Sequence, residues 1–113
     1  MNMATVLNAF KTTTVDVTDT IGNVYTCPSG YSAVVLLAQV SNLTGNTITV
    51  SGNIYQLAGN NVALVKSASL PANDAINLVG GRLILQTGDS FAVGASANSS
   101  SQLTLSVLET STG

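Results

Sequence analysis

The groups able to do acid–base chemistry are few. Asp16, Asp19, Asp74, Asp89 and Glu109 are the acids, Lys11, Lys66 and Arg82 the cations, and Cys27 the one thiol. There is no histidine, which removes the commonest general base and metal ligand. Asp16 and Asp19 lie close together in a threonine-rich stretch and can approach one cation. A calcium loop, however, takes more carboxylate and amide oxygens at fixed steps, and none follow. Asp89, in Thr-Gly-Asp-Ser, and Asp74, after Pro71, read as turn residues whose carboxylates accept bonds from nearby backbone amides. Glu109 has no second carboxylate beside it in sequence, so no acid/base pair is suggested. The many serines come without a histidine or a Gly-x-Ser-x-Gly elbow, so a nucleophilic triad has no support. Gly80-Gly81 lacks a phosphate-cradling pattern and reads as a tight turn. No catalytic residue, cofactor or metal is assigned, and the chain is read as non-enzymatic.

Cys27 cannot form an internal disulfide. Beside Pro28 it reads as a small, partly buried residue rather than a reactive thiol. Asn42-Leu43-Thr44 and Asn98-Ser99-Ser100 match the glycosylation pattern, as chance matches in a chain rich in these residues. Tyr25, Tyr31 and Tyr55 can stack on sugar rings, but on separate strands they read more simply as packing at the edge of a core.

Composition sets the class. Of 113 residues, 45% are hydrophobic and only 7% charged, for a net charge of -2. That apolar content is too high for a disordered chain, and the length suits one domain, here residues 1–113. Three scattered cations make no basic patch, so nucleic acid is not an expected partner. No apolar run approaches the ~20 residues of a membrane helix, and the first ten residues lack a signal peptide's charged and apolar regions. The expectation is a soluble intracellular product, or one released without a signal, and no membrane partner. A nearly uncharged surface offers little repulsion against close neighbours.

The elements are organised around Tyr31–Asn42, whose centre, residues 33–38, is six apolar residues in a row. A run this short, bounded by Gly30 and Asn42 and rich in valine, predicts a central strand buried on both faces. The rest of the chain alternates or turns. Residues 12–18 and 24–26 are β-prone, and Cys27-Pro28-Ser29-Gly30 is a loop. Residues 47–55 place Ile48, Val50 and Ile54 on one face, with Gly52 marking a bulge. Residues 62–69 and 75–79 follow as strands. Residues 82–86 set Leu83 and Leu85 against Ile84. Residues 90–95 group Phe91, Val93 and Ala95, and residues 102–109 alternate through Leu103, Leu105 and Val107. Residues 1–14 are weakly patterned and read either as an N-terminal arm or as a first strand. Met3, Val6, Leu7 and Phe10 are its candidate contacts with a partner.

About eight or nine short strands with regular turns, and no capped 3.6-residue stripe, predict an all-β fold. It is a two-sheet antiparallel β-sandwich, jelly-roll-like in preference to immunoglobulin-like.

The order Val24-Tyr25-Thr26-Cys27-Pro28-Ser29-Gly30-Tyr31-Ser32-Ala33-Val34-Val35 resembles the strand, "PSG" turn and apolar strand of small virion proteins of tailed bacteriophages, notably marine ones. Ser69-Leu70-Pro71-Ala72-Asn73-Asp74-Ala75 resembles their proline connection, and Gly80-Gly81-Arg82-Leu83-Ile84-Leu85-Gln86-Thr87-Gly88-Asp89 their "G-x-L-x-L-x-x-GD" hairpin. Residues 103–109 resemble their closing strand. The likeness spans residues 24–109. It implies a structural role in the virion, as capsid decoration or cement or as a neck or tail accessory part, assembled in the host cytoplasm. Phage capsid, neck or tail proteins would then be partners, together with further copies of the chain, as a homo-oligomer and by analogy a trimer. The alternative from another class is a carbohydrate-binding module of a phage tail or neck fibre, built on the tyrosines.

Overall fold

A computed structural model describes residues 8–80, 82–98 and 100–111. Nine strands run in chain order: β1 Asn8–Val17, β2 Gly22–Thr26, β3 Tyr31–Asn42, β4 Ile48–Tyr55, β5 Asn61–Leu70, β6 Ala75–Asn77, β7 Leu83–Leu85, β8 Ser90–Ala95 and β9 Ser101–Ser111. They form two antiparallel sheets. One has the order β1-β9-β3-β6, with β7 also on β3, and the other the order β2-β8-β4-β5. β6 and β7 share one place, end to end along β3, at residues 39–41 and 33–35. With these two counted as one interrupted strand, every connection crosses between sheets except the β4–β5 hairpin. This is the jelly-roll arrangement, as expected in preference to the immunoglobulin-like one.

Alternation explains the core. Leu103, Leu105 and Val107 of β9, Ile48, Val50 and Ile54 of β4, and Phe91 and Val93 of β8 all point between the sheets and are buried. Leu83 and Leu85 lie on the opposite face of β7 from Ile84, which is 64% exposed. Gly52 lies at the expected irregularity, where the β4–β5 register shifts on either side of it. A Cβ there would come within 3.1 Å of Leu78 Cδ1, so the missing side chain makes room for a core leucine.

β3 corrects one expectation. It is interior to its sheet, between β9 and the β6/β7 pair, but only one of its faces is buried. Ala33 and Val35 are buried, then Ala38, Val40 and Asn42, while Leu36 is 42% exposed. A bulge at Leu36 takes the register from Val35↔Val107 to Leu37↔Ser106. The inward face therefore changes from odd to even residues. The six-residue apolar run conceals two one-faced strands of opposite phase.

The first strand also gains definition. Asn8–Val17 pairs with β9 over ten consecutive positions without a shift. Phe10 is thus part of the sandwich, 77% exposed on an edge strand. Met3, Val6 and Leu7 lie outside the described residues.

Candidate functional site

Continuing the β9 alternation past Val107 brings Glu109 into the interior, where it is 3% exposed. A lone buried carboxylate is costly unless it is paired. Two strands provide partners. Lys11 of β1 sets its Nζ 2.8 Å from Glu109 Oε1, and Tyr25 of β2 donates its hydroxyl to Oε2 at 2.5 Å. Burial alone would raise the glutamate pKa, but the bonds from Lys11 and Tyr25 outweigh it and hold the carboxyl below its usual range. Burial, and then the bond to Glu109, push the Tyr25 phenol far above its usual value. Lys11 is held above its usual value by its bond to Glu109. A carboxylate fixed as ionised and a phenol fixed as neutral have no proton to exchange near neutral pH. Chemically the trio is a clamp that ties β9 and β1 of one sheet to β2 of the other.

Cys27 lies next to this trio, 1% exposed, with its Sγ 3.2 Å from the Tyr31 carbonyl. Burial, then the negative charges of Glu109 and Asp89, raise its pKa, so the thiol stays protonated and unreactive.

Asp89 and Asp74 serve turns, and Asp16 a cross-strand contact. Asp89 accepts backbone N–H bonds from Leu57 at 3.1 Å and Gln86 at 3.0 Å, and Asp74 accepts one from Ala75 at 2.8 Å. Asp16 accepts from Gln102 Nε2 at 3.2 Å, and Asp19 lies 3.5 Å from the Thr20 hydroxyl. The structure does not bring Asp16 and Asp19 together with a further acid: among the described residues no three of His, Cys, Asp and Glu are grouped to hold a metal. The tyrosines are placed on different strands, β2, β3 and β4. Tyr25 is spent on Glu109, and Tyr25 and Tyr31 pack against the core.

Asn42 is a structural knot rather than a glycan acceptor. It is 3% exposed. Its Nδ2 donates to the carbonyls of Asn46, Leu70 and Pro71, while its Oδ1 accepts from the Thr44 N–H and hydroxyl.

Shallow clefts exist. One of about 400 Å³ lies between the β4–β5 and β7–β8 loops, lined by Gln56, Leu57, Gln86 and Asp89. Another of about 410 Å³ runs along the second sheet by Ser51, Asn53, Asn61 and Lys66. Asp89 in the first is bonded to backbone N–H groups, and the second holds one cation, Lys66.

The surface feature that stands out is apolar. On the outer face of the first sheet, Phe10 is opposite Leu108, Leu108 is opposite Val34, and Val34 is opposite Ile84. These four form one row across β1, β9, β3 and β7, about 14 Å long at the usual strand spacing. Phe10 and Ile84 at its ends are 77% and 64% exposed. Its flanking neighbours on the same face, Thr12, Ser106, Ser32 and Thr110, carry no charge. In the sequence Phe10 groups with Met3, Val6 and Leu7, and Ile84 opposes Leu83 and Leu85; only the register lines the two up with Leu108 and Val34.

No family model and no curated protein matches this sequence. The fold has a structural counterpart. A chain of the Bacillus endospore appendages, which form a novel family of disulfide-linked pili, is similar, with a TM-score of 0.55 and 11% identity. The match covers 99% of this chain and 100% of that one. At that identity the likeness is one of fold.

Proposed function

We propose that this chain is a non-enzymatic structural subunit of a bacteriophage virion, present in several copies and attached to the capsid as a decoration or cement protein. The observation that carries this reading is the apolar row Phe10, Leu108, Val34 and Ile84, whose flanking neighbours Thr12, Ser106, Ser32 and Thr110 carry no charge. Exposed apolar residues aligned this way mark a surface that mates with other protein. The phage setting rests on the resemblance carried by residues 24–109. The endospore-appendage chain gives the reading a parallel, since its fold too belongs to an assembled structure. Its disulfide linkage does not transfer, because the single cysteine here is buried with its thiol held protonated.

The test is co-expression with the shell proteins of a tailed phage. The chain should purify with the particles at a fixed copy ratio, and Ile84→Lys, at an exposed position, should abolish this without changing the melting temperature. Absence from the particles, or undiminished binding by Ile84→Lys, refutes the reading. Strong binding to host polysaccharide without particle binding would favour the carbohydrate module instead.

A further inference from the structure

We propose that β1 is a docking edge for the β1 strand of a second copy, joining two chains in an antiparallel pair about a two-fold axis. A two-sheet sandwich has four lateral edges, and proteins guard such edges with short strands, bulges and charges. Three of the four are guarded here. The β6/β7 edge is broken into two three-residue pieces. The β2 edge is five residues long with a register shift between Asn23 and Tyr25. β5 is ten residues long but bulged, since its pairing with β4 steps from Val50↔Ala68 to Gly52↔Val65 to Asn53↔Ala63. It also carries Lys66, and Ser67 at a left-handed φ of 51°.

β1 has none of these devices. It is ten residues long and pairs with β9 without a shift. Its two charges are tied down within its own sheet and do not protect the edge: Lys11 is bound to Glu109 and Asp16 to Gln102. Its middle is Thr12-Thr13-Thr14, all exposed. β-Branched residues suit strand pairing, and threonines stack well in cross-strand pairs. A pair centred on these threonines faces Thr against Thr and sets the two Lys11 residues apart on opposite sides of the axis. An edge that pairs with itself is isologous and closes at two copies. The strand order β6/β7-β3-β9-β1 then continues through the partner's β1, and the joined sheet stays within the size usual for open sheets. Strand addition of this kind draws its affinity from main-chain hydrogen bonds. Phe10, the most exposed large apolar side chain among the described residues, sits on this edge.

This inference rests on the self-association part of the proposed function and not on the particle. The test is the solution mass of the isolated full-length chain, by light scattering after size-exclusion chromatography. The natural chain should run at twice its 11.4 kDa mass. The double variant Thr12→Lys/Thr14→Lys, which puts guarding charges at two exposed edge positions, should run as a monomer that keeps the natural chain's all-β circular dichroism. Ile84→Lys, on the same sheet but away from the edge, should remain dimeric. A natural chain that is monomeric at high concentration or trimeric, or a double variant that stays dimeric, overturns the proposal. Monomers that still decorate particles would overturn this inference alone, and dimers that ignore particles would overturn the particle reading alone.

Discussion

Asn42→Asp should destabilise the fold more than Asn42→Ala at neutral pH, although it changes the shape less. The two hydrogens of the Asn42 amide serve three carbonyls, those of Asn46, Leu70 and Pro71, at 2.7, 3.2 and 3.1 Å. These join the end of β3 to the following turn and to the end of β5. Removing the amide forfeits about 1 kcal/mol for each hydrogen bond, and a buried acceptor left orphaned adds about 1–3 kcal/mol. Asn42→Ala should therefore cost roughly 2–4 kcal/mol. Asn42→Asp loses the same donors and puts a carboxylate oxygen against those carbonyls, and an uncompensated buried charge costs about 3–5 kcal/mol. Against a total stability of roughly 5–15 kcal/mol, that comes close to unfolding the domain. The sign with pH is distinctive. Burial among carbonyls raises the pKa of the new carboxyl in the folded state, so the lost stability returns as pH falls through that raised value. The assay is urea unfolding of both variants and the natural chain at neutral and mildly acidic pH. An Asn42→Asp variant as stable as the natural chain at neutral pH, or one whose deficit ignores pH, would refute the account of Asn42 as a buried donor.

Leu105→Asp should abolish folding, because Leu105 is 1% exposed between the sheets and an unpaired charge there costs several kcal/mol; a soluble variant with an unchanged melting temperature would contradict this. Tyr25→Phe should cost about 1.5–3 kcal/mol by removing a hydrogen bond to an ionised group, read by thermal unfolding. Tyr25 also sets an alkaline limit: its pKa is raised on folding, so stability should hold below the ordinary tyrosine value of about 10 and fall above it, and Tyr25→Phe should flatten that fall. Glu109, with its pKa lowered, sets the acid limit: its stabilisation is present above the ordinary glutamate value of about 4.3 and disappears as pH falls below it. Cys27→Ser should cost at most about 1–2 kcal/mol and leave assembly intact, since a hydroxyl can also donate to the Tyr31 carbonyl.

The fold was legible because it follows from period-2 alternation and turn chemistry, which are local. Leu103, Leu105 and Val107 announced their buried face, and Thr87-Gly88-Asp89 its turn. At Gly88, φ is 87°, a left-handed conformation that favours glycine. The two-faced burial expected of β3 failed because apolar residues on both sides of a bulge look the same in sequence. Only the partner strand shows that Leu36 is the extra residue. The knot at Asn42 was hidden for a related reason. Its acceptors at Leu70 and Pro71 lie 28 and 29 residues away, so the glycosylation pattern was the only signal available locally.

Glu109 was half legible. The alternation that buries Val107 also buries residue 109, so a carboxylate at the end of that series implies bonded partners. Which partners they are is decided by topology. β1 brings Lys11 from one edge of the first sheet, and β2 brings Tyr25 from the sheet opposite. The position of the clamp explains why a charge is kept there. Among the described residues β1 is held to its sheet by one neighbour, β9, and an edge strand with a single neighbour frays readily. Lys11, bonded to a buried carboxylate that Tyr25 holds from the other side, fixes the first half of β1. The same bond draws the lysine inward, away from the guarding position a charge would normally take on an open edge. A single interaction thus makes β1 rigid and leaves it unprotected, the two conditions under which an edge offers a ready template to another strand.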